Sequence, residues 1–246
     1  MPDYDTTFFN YVNSGALRSA GRVLPLLMQA IPIREVLDVG CGAGAWLSVW
    51  RRLGAAVVGI DGQYVDRAQL LIPQSSFIAH DLTEPFELHR RFDLVQSLEV
   101  AEHLPEERST GFVADLVLHG DLVLFSAAAK GQGGDHHINE QSYDYWRDRF
   151  ARHGYIALDY LRPQLLGARD VEPWYRYNMV LYACSERLQR LPSSVRCSRI
   201  PSEQKIPDVS PVWYQARKTV MRFLPVRMAT SIAKVKERWV VSRRGV

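Results

Sequence analysis

The run Val36-Leu37-Asp38-Val39-Gly40-Cys41-Gly42-Ala43-Gly44 limits the folds open to this chain more than any other stretch. Its start, apolar apart from Asp38, reads as a buried parallel strand. The Gly-x-Gly-x-Gly spacing predicts a tight turn, and Ala45-Trp46-Leu47-Ser48-Val49-Trp50 a crossover helix leaving it. Glycines lack the Cβ atoms that would hold a ligand away from the backbone. A second strand-like run, Ala56-Val57-Val58-Gly59-Ile60, ends on Asp61. In nucleotide-binding α/β folds an acid about twenty residues past the glycines hydrogen-bonds the ribose hydroxyls. These residues together describe a pocket for an adenosine-containing cofactor.

The turn itself discriminates between cofactors. A phosphate-cradling loop needs Gly-Lys-Ser/Thr, and Gly44-Ala45-Trp46 lacks it. A dinucleotide site prefers Gly-x-Gly-x-x-Gly, whereas the third glycine here comes one residue earlier. The Asp38–Gly44 signature resembles motif I of the class I S-adenosylmethionine-dependent methyltransferases, and the resemblance extends over residues 34–184. It continues at Ala79-His80-Asp81-Leu82, like that family's acid near the adenine. It continues again at Phe92-Asp93-Leu94-Val95-Gln96-Ser97-Leu98-Glu99, like the fourth strand and the motif after it. The resemblance implies S-adenosylmethionine as cofactor. Gly40, Gly42 and Gly44 would shape its turn beside Asp38, Asp61 would hold the ribose, Asp81 with Leu82 the adenine, and Ser97 would complete the site. A dehydrogenase, or a fold of this type that binds nothing, is the competing interpretation.

Strand-like runs fall near 35–39, 56–60, 76–79, 92–97 and 121–126, with helical patterns between them and a helix over 15–31 before the first. Two further runs, Tyr155–Tyr160 and Asn178–Ala183, would finish the sheet. Alternation of this kind predicts a Rossmann-like α/β fold, a seven-stranded, mostly parallel sheet flanked by helices. The family resemblance implies that the last two strands form an antiparallel edge hairpin. Ligand and chemistry should then sit outside the carboxyl ends of strands one to five. A chain of 246 residues accommodates one such domain with additions. No run of eighteen apolar residues marks a membrane span. Met1-Pro2-Asp3-Tyr4-Asp5 carries acids where a signal peptide needs bases. Cys41, Cys184 and Cys197 have no metal or disulfide spacing, so a reducing cytoplasm is the expected compartment.

Charge divides the chain into a domain over 1–184 and a basic extension over 185–246. The extension holds fourteen Lys/Arg against four Asp/Glu, and the overall balance is only +3. Prolines 192, 201, 207 and 211 predict an irregular connector over 186–211. Trp213–Leu224 and Met228–Val241 follow with helical spacing of apolar residues, interrupted at Pro225. A basic amphipathic helix suits an anionic membrane or an acidic partner. The plainer expectation is a helix packed on its own domain or on a twin subunit.

Chemistry concentrates after the fourth strand. Ser97-Leu98-Glu99-Val100-Ala101-Glu102-His103-Leu104 contains Glu-x-x-Glu-His, and a helix beginning there would put Glu99, Glu102 and His103 on one face. Two carboxylates and an imidazole suit Mg²⁺ or Mn²⁺. A second cluster, Gly131-Gln132-Gly133-Gly134-Asp135-His136-His137-Ile138-Asn139-Glu140-Gln141, follows the fifth strand and opens on the same edge. The two clusters are similar to those of the small-RNA 3′-terminal 2′-O-methyltransferases. That likeness implies a divalent ion on Glu99, Glu102, His103 and His137, with His136 or His137 free to take a proton. Glu-x-x-Glu-His also resembles the ubiquinone-pathway O-methyltransferases. Without a metal, Glu102 would cap a helix and His103 would pack locally.

Aromatic residues surround this edge. Tyr4, Phe8, Phe9 and Tyr11 are lid candidates, and Trp174-Tyr175-Arg176-Tyr177 suits stacking on a sugar ring, although any single ring is more readily core. The segment from Gly131, followed by Tyr143 and Trp146, resembles bacterial methyltransferases that accompany glycan assembly. The expected activity is methyl transfer from S-adenosylmethionine to a saccharide hydroxyl, assisted by Mg²⁺ and with Glu99 at the reacting oxygen. An RNA 2′-O-methyltransferase shares the diol logic, but no recognisable RNA-binding module accompanies it. A phenol or quinone acceptor fits the same motifs, and a non-catalytic membrane-surface adaptor would keep the fold and use only the basic extension.

Overall fold

The computed structural model describes the backbone of residues 6–222 and the side chains of residues 13–222. Each apolar run becomes a strand: β1 (Glu35–Val39), β2 (Ala56–Asp61), β3 (Phe77–Ala79), β4 (Leu94–Leu98), β5 (Leu122–Ser126), β6 (Tyr155–Leu158) and β7 (Val180–Cys184). They form one sheet in the order β3-β2-β1-β4-β5-β7-β6. β1 to β5 pair in parallel, and β7 runs antiparallel to both β5 and β6. The chain winds outward from β1 to β3 and then returns to β4 on the other side of β1. That reversal opens a crevice beyond the carboxyl ends of β1 and β4. The glycine turn and Glu99 flank it.

Alternation along the strands feeds two apolar layers. Val36, Leu94, Leu122 and Leu124 face one side, with α1 (Thr6–Ala30) and α2 (Ala45–Arg52). Leu37, Val95, Val123 and Phe125 face the other, with α3 (Ser109–Leu118) and α4 (Tyr143–Ala151). Burial of both faces explains why these strands are continuously apolar. α1 begins earlier than the periodicity from Gly15 suggests. No α-helix joins β2 to β3 or β3 to β4; the first link carries only 3-10 turns at Arg67–Gln69 and Gln74–Ser76. Pro73 and Pro85 punctuate these links and disfavour helix at the residues before them.

Short helices α5 (Arg162–Leu165) and α6 (Pro173–Asn178) precede β7, and α7 (Ser185–Arg190) and α8 (Ser193–Arg196) follow it. The 186–211 segment is no free connector. Leu191 and Val195 lie in the first layer, and Ile200 and Ile206 in the second. Residues 198–200 run along β6: Asp159 N–H donates to the Ser198 carbonyl (2.8 Å) and Ile200 N–H to that of Ala157 (3.0 Å). Fully buried Arg162 clasps Asp159 through two hydrogen bonds (2.7 and 2.8 Å) and donates to the carbonyls of Tyr177 and Pro207. One guanidinium therefore joins the residue after β6, α6 and the C-terminal extension.

The helix expected from Trp213 is α9 (Val212–Met221), and it packs on its own domain. Tyr214, Lys218 and Met221 are buried beneath it, with Lys218 paired to Asp208. It lies directly on the loop after β5. A Cβ on Gly131 would meet the Lys218 carbonyl oxygen at 2.0 Å, so only glycine permits this approach. Tyr4, the side chains of Phe8, Phe9 and Tyr11, and the segment Met228–Val241 lie outside the described residues. Among the described residues no helix is long and apolar enough to cross a membrane.

Candidate active site

The glycine turn closes β1 against α2. Gly40, Gly42 and Gly44 all have positive φ (83°, 52° and 82°), a region that side chains with a Cβ adopt at a cost. Gly42 differs from its neighbours in what lies beyond it. A Cβ on Gly40 would strike Val100 at 2.3 Å and one on Gly44 would touch Ile72 at 3.0 Å, whereas one on Gly42 meets nothing within 4 Å. Open space at the turn's centre is what close approach of a ligand to the backbone requires. Asp61, at the end of β2, accepts from the N–H groups of Gly42 (2.6 Å) and Gly62 (2.7 Å) and from the Tyr64 hydroxyl. Burial pushes the Asp61 carboxyl up, against these hydrogen bonds. Asp38 is driven higher, to about 8, mainly by burial; the Gln96 side chain opposes the shift and the charge of Asp61 adds to it.

Asp81 follows β3 on the same edge. Thr83 donates to it twice (2.9 and 2.8 Å), which holds its exposed carboxyl below the usual range. Leu82 beside it is buried. Ser97 belongs to β4 itself, fully buried. Strand alternation turns its side chain with Val95 toward α3.

Glu-x-x-Glu-His departs from the expected helix. Glu99 adopts φ +58°, and only a single 3-10 turn, Ala101–His103, follows. The shared helical face therefore does not form. Instead Glu102, His103 and His137 converge, with one ligating atom from each within 4.8 Å of the others. The loop after β5 is tied to this turn. Ile138 and Asn139 N–H groups donate to the Glu102 carbonyl (2.9 and 3.0 Å), and Asn139 Nδ2 donates to the Ser109 hydroxyl (3.0 Å).

Glu102 is 0% exposed, and neither of its carboxylate oxygens has a well-formed hydrogen bond; the nearby backbone N–H groups of Glu102 and Ala128 offset its burial only in part. Burial, and then the charge of Glu99, raise its carboxyl far above the ordinary range. The two imidazoles stand edge to face, with centroids 4.9 Å apart. His137 Nδ1 lies 3.0 Å from Glu140 Oε1, which leaves Nε2 as the nitrogen that could ligate an ion. Glu140 also accepts from Gly131 and Gly133 N–H (both 2.7 Å); with His137 these outweigh burial and hold it low. His103 is exposed at the surface, yet the packing around its ring and the facing His137 push it down to about 4. A neutral imidazole, a poorly satisfied buried carboxylate and a carboxylate-backed histidine form a donor set that fits a divalent cation.

Glu99 stands beside this trio and is not one of the three. Gln132 Nε2 donates to its Oε2 (2.9 Å) and Asn178 Nδ2 to its Oε1 (3.1 Å). Asn178 also donates to Gln132 Oε1 (2.8 Å) and accepts from the Tyr143 hydroxyl (3.0 Å). Burial raises the Glu99 carboxyl despite this clamp. His136, the other proton-acceptor candidate, has φ +56° and points to the surface near Asp135 (3.7 Å). Its carbonyl lies 3.3 Å from His103 Nδ1. The Trp174–Tyr177 segment is helical because Pro173 starts α6. Tyr175 and Tyr177 are buried, and Arg176 donates to the Val171 carbonyl (2.7 Å), so this is not an open stacking platform.

The model of a family described as "Methyltransferase domain" matches residues 14–165. The ubiquinone biosynthesis O-methyltransferase of Shewanella halifaxensis is 33% identical over 101 residues, which make up 38% of this chain and 43% of that protein. The chain thus spans under half the length of that relative. The sugar N-methyltransferase of a Streptoalloteichus species superposes with a TM-score of 0.57, over 75% of this chain and 95% of the other, at 14% identity. The magnesium protoporphyrin IX methyltransferase of Synechocystis, with bound S-adenosylmethionine, gives 0.52 over 75% and 86% at 18% identity. At such identities the two structures bear on the fold alone.

Proposed function

The chain belongs to the methyltransferase-domain family, the class I S-adenosylmethionine-dependent group, and from that premise we propose that it methylates an acceptor hydroxyl flanked by a second hydroxyl, as in a saccharide, with a divalent cation at Glu102, His103 and His137. One observation carries this reading: a wholly buried carboxylate without a well-formed hydrogen bond, beside two imidazoles, at the crevice that the glycine turn borders.

S-adenosylmethionine supplies an activated methyl group on a sulfonium. Gly42 leaves the backbone open to such a cofactor, Asp61 would accept hydrogen bonds from its ribose, and Asp81 with Leu82 would border the adenine. A cation on Glu102, His103 and His137 would acidify and orient a coordinated hydroxyl, whose own acidity is close to that of water. Glu140 fixes the tautomer of His137. Gln132 and Asn178 hold Glu99 in place beside the three proposed ligands, and its raised basicity would suit it to receive a proton. Holding donor and acceptor in line supplies ~7–11 kcal/mol of the barrier.

A small phenolic or quinone acceptor is the second reading, favoured by the name of the Shewanella relative. Incubation with methyl-labelled cofactor, host carbohydrate extract and a catechol, with and without chelator, separates the two. Label entering carbohydrate only without chelator supports the first reading. Label entering the catechol alone supports the second, and full turnover in chelator removes the cation.

A further inference from the structure

Helix α9 has two dissimilar faces. Its inner face holds the loop after β5: Arg217 donates to the Gln132 carbonyl (3.0 Å), Arg222 to that of Lys130 (3.0 Å), and Tyr214, Lys218 and Met221 are buried. On its outer face Val212, Trp213 and Val220 are 82%, 67% and 63% exposed. Ala216 and Thr219 lie between them, so the whole stripe is uncharged. A tryptophan and two valines directed at water, on a helix otherwise well packed, mark a surface that awaits a partner.

The chain beyond α9 indicates which partner. Residues 222–246 contain seven Lys/Arg against one acid, interleaved with Phe223, Leu224, Val226, Ile232, Val235 and Trp239. A nucleic acid would use the cations but has no use for Val212 and Val220. A second copy of this chain would bring the same positive charge and be repelled. An anionic bilayer matches both properties, taking tryptophan and aliphatic groups at its interface and cations at its phosphates. We propose that α9 and the basic segment after it dock on an anionic lipid surface. Trp213, Val212 and Val220 enter the interfacial layer, and the Lys/Arg residues after Arg222 supply the positive charge that anionic headgroups attract. Because the opposite face of α9 grips residues 130–132, docking brings the loop that holds Glu99 close to the headgroup layer.

The test uses the full chain in vesicle pelleting. Phosphatidylcholine vesicles are compared with phosphatidylcholine–phosphatidylglycerol vesicles, at low and high ionic strength. Pelleting is expected with the anionic vesicles alone, weakened by salt. It should fall by roughly tenfold or more in Trp213→Ser/Val220→Ser and in Lys234→Glu/Lys236→Glu, with thermal unfolding unchanged. Equal pelleting on neutral vesicles, or parental pelleting of both variants, overturns the proposal. So does salt-sensitive binding of single-stranded RNA without vesicle binding, or a dimer abolished by Trp213→Ser/Val220→Ser that does not pellet with lipid.

Discussion

Replacing Glu102 with methionine should stabilise the cofactor-free protein while ending its turnover. A buried polar group without well-formed hydrogen bonds costs about 1–3 kcal/mol, and an apolar side chain of similar length removes that cost. In a domain of this size each kcal/mol moves Tm by about 2–4 °C, so a rise of about 2–12 °C is expected in chelator. The rise should depend on pH. The Glu102 carboxyl is raised in the folded protein, from an ordinary value near 4.5. As pH climbs above that value the unfolded chain sheds the proton first, and folding stability falls until the folded group also ionises. The slope per group is at most about 1.4 kcal/mol per pH unit. The methionine variant lacks this loss, so its advantage over the parent widens from mildly acidic to neutral pH. Manganese should raise the parent's Tm and leave the variant's unchanged. Calorimetry in chelator and in manganese checks each part. A variant that unfolds earlier than its parent in chelator, or equal stabilisation of both proteins by manganese, refutes the reasoning.

Asp38, raised to about 8, should release a proton when the cationic cofactor binds, so affinity climbs with pH toward that value. Titration calorimetry near neutral pH, in buffers of different ionisation enthalpy, counts that proton. Gly42→Ala should cost the fold only about 1–2 kcal/mol, because its Cβ meets open space, while cofactor affinity falls at least about tenfold. Gly131→Ala combines a positive φ with a clash on the Lys218 carbonyl and should cost about 2–5 kcal/mol; urea midpoints compare the two. Asn178→Ala frees one side of Glu99 and should lower kcat about 10–100-fold with little change in KM for the methyl donor, measured by steady-state kinetics.

The fold was legible because its signals are local. β1, the glycine turn and α2 occupy one continuous stretch, and strands buried on both faces are written as apolar runs. Asp61 and Asp81 could be found from the strands they terminate. The geometry after β4 was not legible, because nothing in Glu99-Val100-Ala101-Glu102 announces a left-handed residue that ends a helix before it begins. The choice between His136 and His137 depended on that turn and on Glu140 behind one of them. The amide clamp was missed altogether. Gln132 and Asn178 are far apart in sequence, and an amide in a loop or before a strand carries no periodic signal. The glycines at 131, 133 and 134 did hold a clue, since repeated loss of Cβ invites another backbone to approach. Which segment approached was known only once α9 was in place.

Arg162 has a consequence for how the polypeptide comes to be made. A ribosome that has released all five parallel strands still lacks the Pro207 carbonyl that this guanidinium needs and the 198–200 stretch that covers the bare edge of β6. The growing chain therefore waits in an open-edged form, prone to sticking, until its far end emerges. Shortening the protein after Cys184 would make that wait permanent, and the clipped product should collect in inclusion bodies.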